Sequence, residues 1–383
     1  MYRLSNNQQH VIQKVASIAD EHVAKHTERV DRDRVFPKES IAALGQAGLL
    51  GLTIPVEYGG LGEGLRTTVA SLDQVAQRCA STAMVYLMHL CGVACYAAAS
   101  DKCQPYLRAA ARGEHLSTLA FSERGSRSHF WAPVSRAAQT NGVVRLSAQK
   151  SFVTSAGYAD GYVVSTLAVE ATQPIESTIY LVLRGDEGVR VADTWQGVGM
   201  RGNASAPMVL DEVTVAPDRA LTAPGNGLEM MLGVVLPTFQ VGSAAVALGI
   251  AEAAVQATVR HLTSARLEHA NSSLAELPTL RARLAQMRIE TDRARAHLGS
   301  VIDSLESPGP STQLLVLEAK AAATEAAVSV TDAAMRTCGG AAFGGAHGIE
   351  RMFRDARAPI VMAPTSDQAY EFIGRALCGM EVF

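Results

Sequence analysis

Several residue types and spacings in this chain could do chemistry. Gly339 and Gly340 are adjacent and lack a Cβ, so their backbone can come close to a phosphate or an adenosine. Arg336 stands just before them, where its charge could meet a pyrophosphate or simply solvent. Arg124, Arg127 and His129 form a basic cluster that could favour an anionic tail or be a solvated turn. Histidine titrates near neutrality, which makes His129 and His89 candidate bases by type. Asp367 and Glu371 fall on one face if their segment is helical. Pro364 argues against a regular helix beginning ahead of it. Cys91 and Cys95 lie one helical turn apart, but no His or acidic partner at a matching spacing supports a metal site. With no CxxC among the six cysteines, buried reduced thiols are expected.

The elements that must position these residues fall into three zones. Up to residue 115 the pattern is helical: Asn7–His26 and Pro37–Leu50 carry apolar residues at three- and four-residue spacing. A Pro/Gly-rich connection, Leu52–Gly64, leads to Arg66–Arg78 and to Ser81–Ala99, which is apolar nearly all round and therefore expected to be buried. Residues 116–225 switch to alternating or β-branched runs at Val143–Leu146, Gly161–Leu167, Ser177–Leu183 and Met208–Val215, a compact antiparallel β domain. Residues 226–383 return to helix, with Ala-rich stretches at Ala244–Ala257 and Ala321–Arg336 and a break at Ser307-Pro308-Gly309-Pro310. The predicted class is α+β: a helical domain (1–115), a β barrel (116–225) and a four-helix bundle (226–383).

Composition excludes some classes. Lys+Arg 34 against Asp+Glu 37 gives a formal net charge of −3, without the basic stripe of a nucleic-acid binder. No apolar run in the sequence reaches the roughly 20 residues of a membrane helix, and the start, MYRLSNNQQHVIQK, lacks the apolar core of a signal peptide. A cytoplasmic protein with no membrane partner is expected.

Five stretches in order resemble the acyl-CoA dehydrogenase family: AGLLGLTIPVEYGGLG (Ala47–Gly62), LAFSERGSRS (Leu119–Ser128), KSFVTSAGYAD (Lys150–Asp160), GVGMRGNASAPMVLDEVTV (Gly197–Val215) and CGGAAFGGAHGIERMFRDAR (Cys338–Arg357). The resemblance implies that FAD is the cofactor. It places Thr154 at flavin N5, Ser122 at the pyrimidine edge and Phe152 against the ring, with Leu119, Phe121, Val153 and Ser128 beside them. Phe replaces the family's usual Trp, keeping the stacking surface and losing a donor. The resemblance puts Gly339, Gly340 and Arg336 on the cofactor of a neighbouring subunit, which implies a homodimer or homotetramer. Thr365 and Asp367 would lie near the adenine, and Arg266 would replace the arginine of a family R-x-x-F-G motif that is missing here. Ser128, Gln240, Met362 and Ala363 fall on the substrate side.

Dehydrogenation at the α,β-bond needs a carboxylate to take the α-proton. At the family's Glu position this chain has Ala363, and at the alternative position Phe239. Asp367, His89 and His129 are the remaining candidates. Three readings follow. One is a dehydrogenase of an acyl-CoA or acyl-carrier-protein thioester with a displaced base, passing electrons to an electron-transfer flavoprotein. The second is a flavin-dependent monooxygenase or acyl-CoA desulfinase on the same fold. The third is a flavin- or acyl-CoA-binding scaffold without chemistry.

Overall fold

The computed structural model describes residues 2–126 and 129–382. Its first helix, α1 (Asn6–Ile18), is opened by a capping box in which the Ser5 and Gln8 side chains accept each other's backbone N–H. A π-helical stretch joins it to α2 (Ala24–Arg32), and α3 (Lys38–Gln46) follows. The connection Leu52–Gly64 leads into α4 (Leu65–Ala76), then α5 (Ala80–Ala98) and α6 (Ser100–Ala111). As its all-round apolar sequence predicts, α5 is buried along nearly its whole length.

Seven strands follow: β1 (Ser117–Ala120), β2 (Ala137–Thr140), β3 (Val143–Val153), β4 (Gly161–Leu167), β5 (Ser177–Leu183), β6 (Val189–Val191) and β7 (Ala206–Val215). They form two sheets, ordered β1-β4-β5 and β2-β3-β7-β6, with a shared core that includes Leu146, Val153, Val164, Val182 and Val213. Pairing is antiparallel except between β1 and β4, which run parallel. The β3–β7 register breaks twice, the second time between Lys150 and Val153. That irregularity bends the end of β3 and puts Phe152 at φ +55°.

The last zone begins with α7 (Gly227–Met230) and a second π-helical stretch before the long α8 (Leu236–Ser264). A short hairpin, β8 (Arg266–Leu267) and β9 (Ser272–Ser273), leads to α9 (Pro278–Glu306) and α10 (Thr312–Phe343). The short α11 (Ile349–Asp355) and α12 (Ala358–Val361) precede α13 (Ser366–Leu377). The first and last zones share one core through α4, α5 and α8. Two glycines set that approach. A Cβ on Gly242 would lie 2.2 Å from Leu87 Cδ1, and one on Gly249 would lie 2.5 Å from the Asp73 carbonyl. Against the sequence expectation, two helices, Ala80–Ala98 and Gly227–Ser264, are long and apolar enough to cross a membrane. Their apolar windows are 89% and 78% buried inside the fold, which is where that apolarity is used.

A charged network fixes the helices around α8. Arg295 on α9 contacts Asp73 on α4 and Glu252 on α8, each at 3.0 Å, and Tyr2 donates to Asp73 at 2.7 Å. Burial acts to raise the Glu252 pKa, but Arg288 and Arg295 outweigh it and hold it at about 2. Removing one partner of such a buried set strands the others. Arg295→Met is expected to lower the unfolding free energy by about 3–5 kcal/mol. Arg3→Ala, at the exposed Arg3–Asp303 pair, should cost less than about 1 kcal/mol. Urea midpoints of the two variants check this.

Candidate functional site

A cleft of about 590 Å³ opens where the sheets meet the first and last helices. Met84 and Met88 of α5 line one side, and Leu119, Phe121 and Ser122, at and beyond β1, line another. The bent end of β3 contributes Ser151, Phe152 and Thr154. The loop from Trp195 to Ser205 contributes Trp195, Met200, Asn203 and Ser205. Val235 and Phe239, around the start of α8, Ala358 and Val361 of α12, and Met362 and Ala363 just after it line the far side, and Glu123, Arg124, Gly125 and Phe130 line the rest.

Hydroxyl and amide groups stand on this largely apolar wall. Thr154 Oγ1 and Ser205 Oγ are 2.9 Å apart, and the Thr154 carbonyl accepts from Thr118 Oγ1 at 2.8 Å. Phe152 is 69% exposed, and Trp195 meets its ring edge-on with centroids 6.5 Å apart. The Trp195 indole N–H donates to the Met200 carbonyl at 3.0 Å, and the Met200 N–H donates to Asp355 at 2.6 Å. Met200 has φ +48°, so both of its backbone groups are held in a conformation unusual for a side-chain-bearing residue. Gly202 N–H donates to Ser81 Oγ at 3.2 Å, and a Cβ on Gly199 would lie 2.3 Å from the Arg354 carbonyl. The Asp355 carboxyl is raised to about 6 by burial, despite Arg351 and the Met200 N–H.

Among the described residues that line the cleft, Glu123 is the one carboxylate, and its oxygens are already occupied. It accepts from the Val134 N–H at 2.6 Å, the Ser135 N–H at 2.7 Å, the Ser135 hydroxyl and Lys150 Nζ at 2.5 Å. Burial acts to raise its pKa, but Lys150 and Ser135 outweigh it and hold the carboxyl below its ordinary range. Lys150, with no exposed side-chain surface, is pulled down by its own burial. A carboxylate so saturated is a poor proton acceptor for a ligand.

The sequence candidates fall in different places. Leu119, Phe121, Ser122, Phe152, Thr154, Phe239, Met362 and Ala363 meet in the cleft. Val153 is fully buried in the sheet core instead. Ser128 and Arg127 lie outside the described residues. Gln240 is fully buried and does not line the cleft, and neither end of its amide has a partner among the described residues.

The three candidate bases do not reach the cleft wall, which corrects the sequence reading. His89 is fully buried, with Nδ1 accepting from the Ser117 N–H at 3.0 Å and Nε2 2.8 Å from the Leu50 carbonyl, so both ring nitrogens are taken. Burial lowers its pKa to about 4. His129 is exposed and places its ring edge-on to Trp131 at 5.2 Å. Asp367 is exposed in the first turn of α13, which begins after Pro364 as the proline predicts. Arg266, Arg336, Gly339 and Gly340 are exposed and outside the cleft wall. Thr365 caps α13, accepting from the Gln368 N–H at 3.2 Å. Gly339 has φ +55° and ψ −134°, a backbone that glycine alone adopts readily.

Sequence reasoning missed the wall supplied by Met84, Met88, Trp195, Met200 and Ser205. The signal available was α5, whose apolarity extends over more than one face.

Models of the N-terminal, middle and C-terminal domains of acyl-CoA dehydrogenases match residues 5–114, 118–213 and 225–378. The chain is 26% identical over 380 residues to a probable acyl-CoA dehydrogenase, YngJ, of Bacillus subtilis (strain 168), covering 98% of this chain and 99% of that one. It is 27% identical over 388 residues to a 3-sulfinopropanoyl-CoA desulfinase of Paraburkholderia xenovorans, covering 100% and 98%. The structure of butyryl-CoA dehydrogenase from Megasphaera elsdenii shares the fold, with a TM-score of 0.91 at 21% identity over 98% of this chain and 99% of that one. The chain belongs to the acyl-CoA dehydrogenase family. It is an oxidoreductase of that flavoprotein type, and FAD is its cofactor.

The residues present fit that cofactor. An isoalloxazine ring is a flat apolar body with polar edges, and the cleft offers apolar walls, an exposed Phe152 and the Thr154, Ser205, Ser122 and Asn203 polar groups.

Two expectations follow. Thr154→Val removes a hydroxyl from the wall and should weaken FAD binding about tenfold, read by titrating apoprotein with FAD. For His89, the folded-state pKa lies below the ordinary 6.5, so its contribution to stability is fully present above about pH 6.5. That contribution is lost as pH falls through about 4 and amounts to about 3 kcal/mol. Urea midpoints between pH 7.5 and 4 should fall further in the wild type than in His89→Gln, and parallel profiles would contradict the assignment.

Proposed function

We propose that this flavoprotein acts on the acyl part of an apolar thioester carried by coenzyme A or an acyl carrier protein. Oxidation at the α,β-bond is the parent reaction: the hydride would pass to FAD, and the α-proton would pass to a base other than the saturated Glu123, displaced from the usual position, where Ala363 stands. The observation that carries this reading is Ala363 in the cleft wall, with Glu123, the one described carboxylate there, saturated by Lys150, Ser135 and Val134. FAD, when bound, supplies a two-electron acceptor; the residues Thr154, Ser205 and Phe152 would hold and orient it. The apolar wall from Met84, Met88, Phe121 and Phe130 would seat the acyl chain and exclude water.

The same observation favours a second reading, a flavin-dependent monooxygenase or an acyl-CoA desulfinase, since neither depends on a carboxylate at that position. Similarity to a 3-sulfinopropanoyl-CoA desulfinase over the whole chain supports keeping it. Electron-transfer flavoprotein as acceptor, a homodimer or homotetramer, and a cytoplasmic location belong to the proposal. Six free cysteines suit a reducing compartment.

An anaerobic titration separates the readings. Bleaching of bound FAD by saturated acyl-CoAs supports α,β-oxidation. No bleaching with any of them, together with oxygen uptake when a flavin reductase is supplied or sulfite release from a sulfinyl acyl-CoA, supports the second. Ala363→Glu places a carboxylate in the wall and is expected to raise the rate of anaerobic FAD reduction by octanoyl-CoA about 100-fold. A variant that binds octanoyl-CoA normally without a gain would contradict the assignment of that position.

A further inference from the structure

Lys320 lies on α10 and is 1% exposed, yet no carboxylate pairs with it among the described residues. Its ammonium instead donates to two main-chain carbonyls, those of Met362 at 2.7 Å and of Pro364. These flank Ala363, the residue that faces the cleft where a carboxylate would be sought. The segment between α12 and α13 is thus held from behind by a side chain more than forty residues away, while its front forms part of the wall. No main-chain N–H among the described residues bonds to either carbonyl. Burying an ammonium without a carboxylate partner is costly, and an apolar residue would fill the same space without that cost. What the amine supplies, and an apolar residue cannot, is a pair of donors aimed at one short stretch of backbone. Its burial lowers its pKa to about 7, and either protonation state keeps at least two N–H donors.

We propose that Lys320 is a positioning residue that sets the place of Ala363 and Met362 in the cleft wall, and so the fit of the acyl group against it. The binding half of this proposal rests on reading the cleft as an acyl site. The loop half does not.

The test uses the full chain loaded with FAD. Lys320→Met keeps an unbranched side chain one atom shorter and removes the donors, whereas Lys320→Arg keeps donors. Hydrogen exchange by mass spectrometry over the segment from Pro359 to Gln368 should be about tenfold faster in Lys320→Met and close to wild type in Lys320→Arg, with exchange along α8 and α9 unchanged. Octanoyl-CoA, followed by its perturbation of the FAD absorption, should bind about tenfold more weakly to Lys320→Met and recover in Lys320→Arg, while FAD content stays constant. If Lys320→Met does not fold, Lys320→Gln, with a shorter donor, replaces it, and faster exchange confined to the segment supports the proposal. Unchanged exchange in whichever variant folds overturns it, as does faster exchange spread equally along α8 and α9. A wild type that does not perturb its FAD spectrum with octanoyl-CoA overturns the acyl-site reading and the binding half, leaving the loop half to be decided by exchange.

Discussion

The architecture depends on one stretch of chain, Gly197 to Ser205, being fastened on both of its sides. The Asp355 carboxylate from the C-terminal helices takes the Met200 N–H, and Ser81 from the N-terminal helices takes the Gly202 N–H. Arg354, anchored by Asp31, donates to the Val198 carbonyl, and Arg34 donates to that of Gly197. A segment belonging to the β domain is thereby tied to helices from both ends of the chain. Without those ties, Met200 would have no reason to keep a positive φ, and the wall it shares with Trp195 and Ser205 would not be fixed. The cleft is a seam, and its shape is set by hydrogen bonds that cross between zones.

Electrostatics then limits what the seam can do. An apolar pocket raises the cost of every unpaired charge placed in it. The chain answers by pairing its carboxylate there: Glu123 is bound to Lys150 and to the backbone around Ser135. The result is a paired Glu123–Lys150 unit, with no spare carboxylate among the described residues that line the cleft, beside a wall of Met, Phe and Trp side chains. Chemistry in such a site rests on the flavin and on the substrate's own groups, with the protein supplying orientation and the exclusion of water.

Much of the fold was legible because it follows from local patterns. The buried α5 is apolar nearly all round, β3 alternates buried and exposed positions, β4 and β5 are continuous apolar or β-branched runs buried along nearly their whole length, and Pro364 stops a helix from starting early. Motif order also brought together residues that share one place in the fold: Ser122, Phe152 and Thr154 all line the cleft. What failed depended on partners remote in sequence. His89 has the right type for a base, but Ser117 and Leu50, distant in the chain, take both of its nitrogens. Lys320 reads as one more polar residue on an Ala-rich helix until the Met362 and Pro364 carbonyls are brought to it. Gly339 and Gly340 are expected to let a phosphate or adenosine come close to their backbone, and among the described residues beyond their own stretch of helix nothing lies within 4 Å of where their Cβ atoms would be. At Gly339 the permissiveness is required by the backbone itself, at φ +55° and ψ −134°.

The most direct measurement is a crystal structure of the FAD-loaded protein with an unreactive thioester analogue. The account requires the isoalloxazine ring between Thr154 and Ala363, in contact with Phe152 or Trp195, with no carboxylate within hydrogen-bonding distance of the thioester α-carbon. A ring lodged elsewhere, or an Asp or Glu side chain brought to that carbon from this chain or its neighbour, would contradict it.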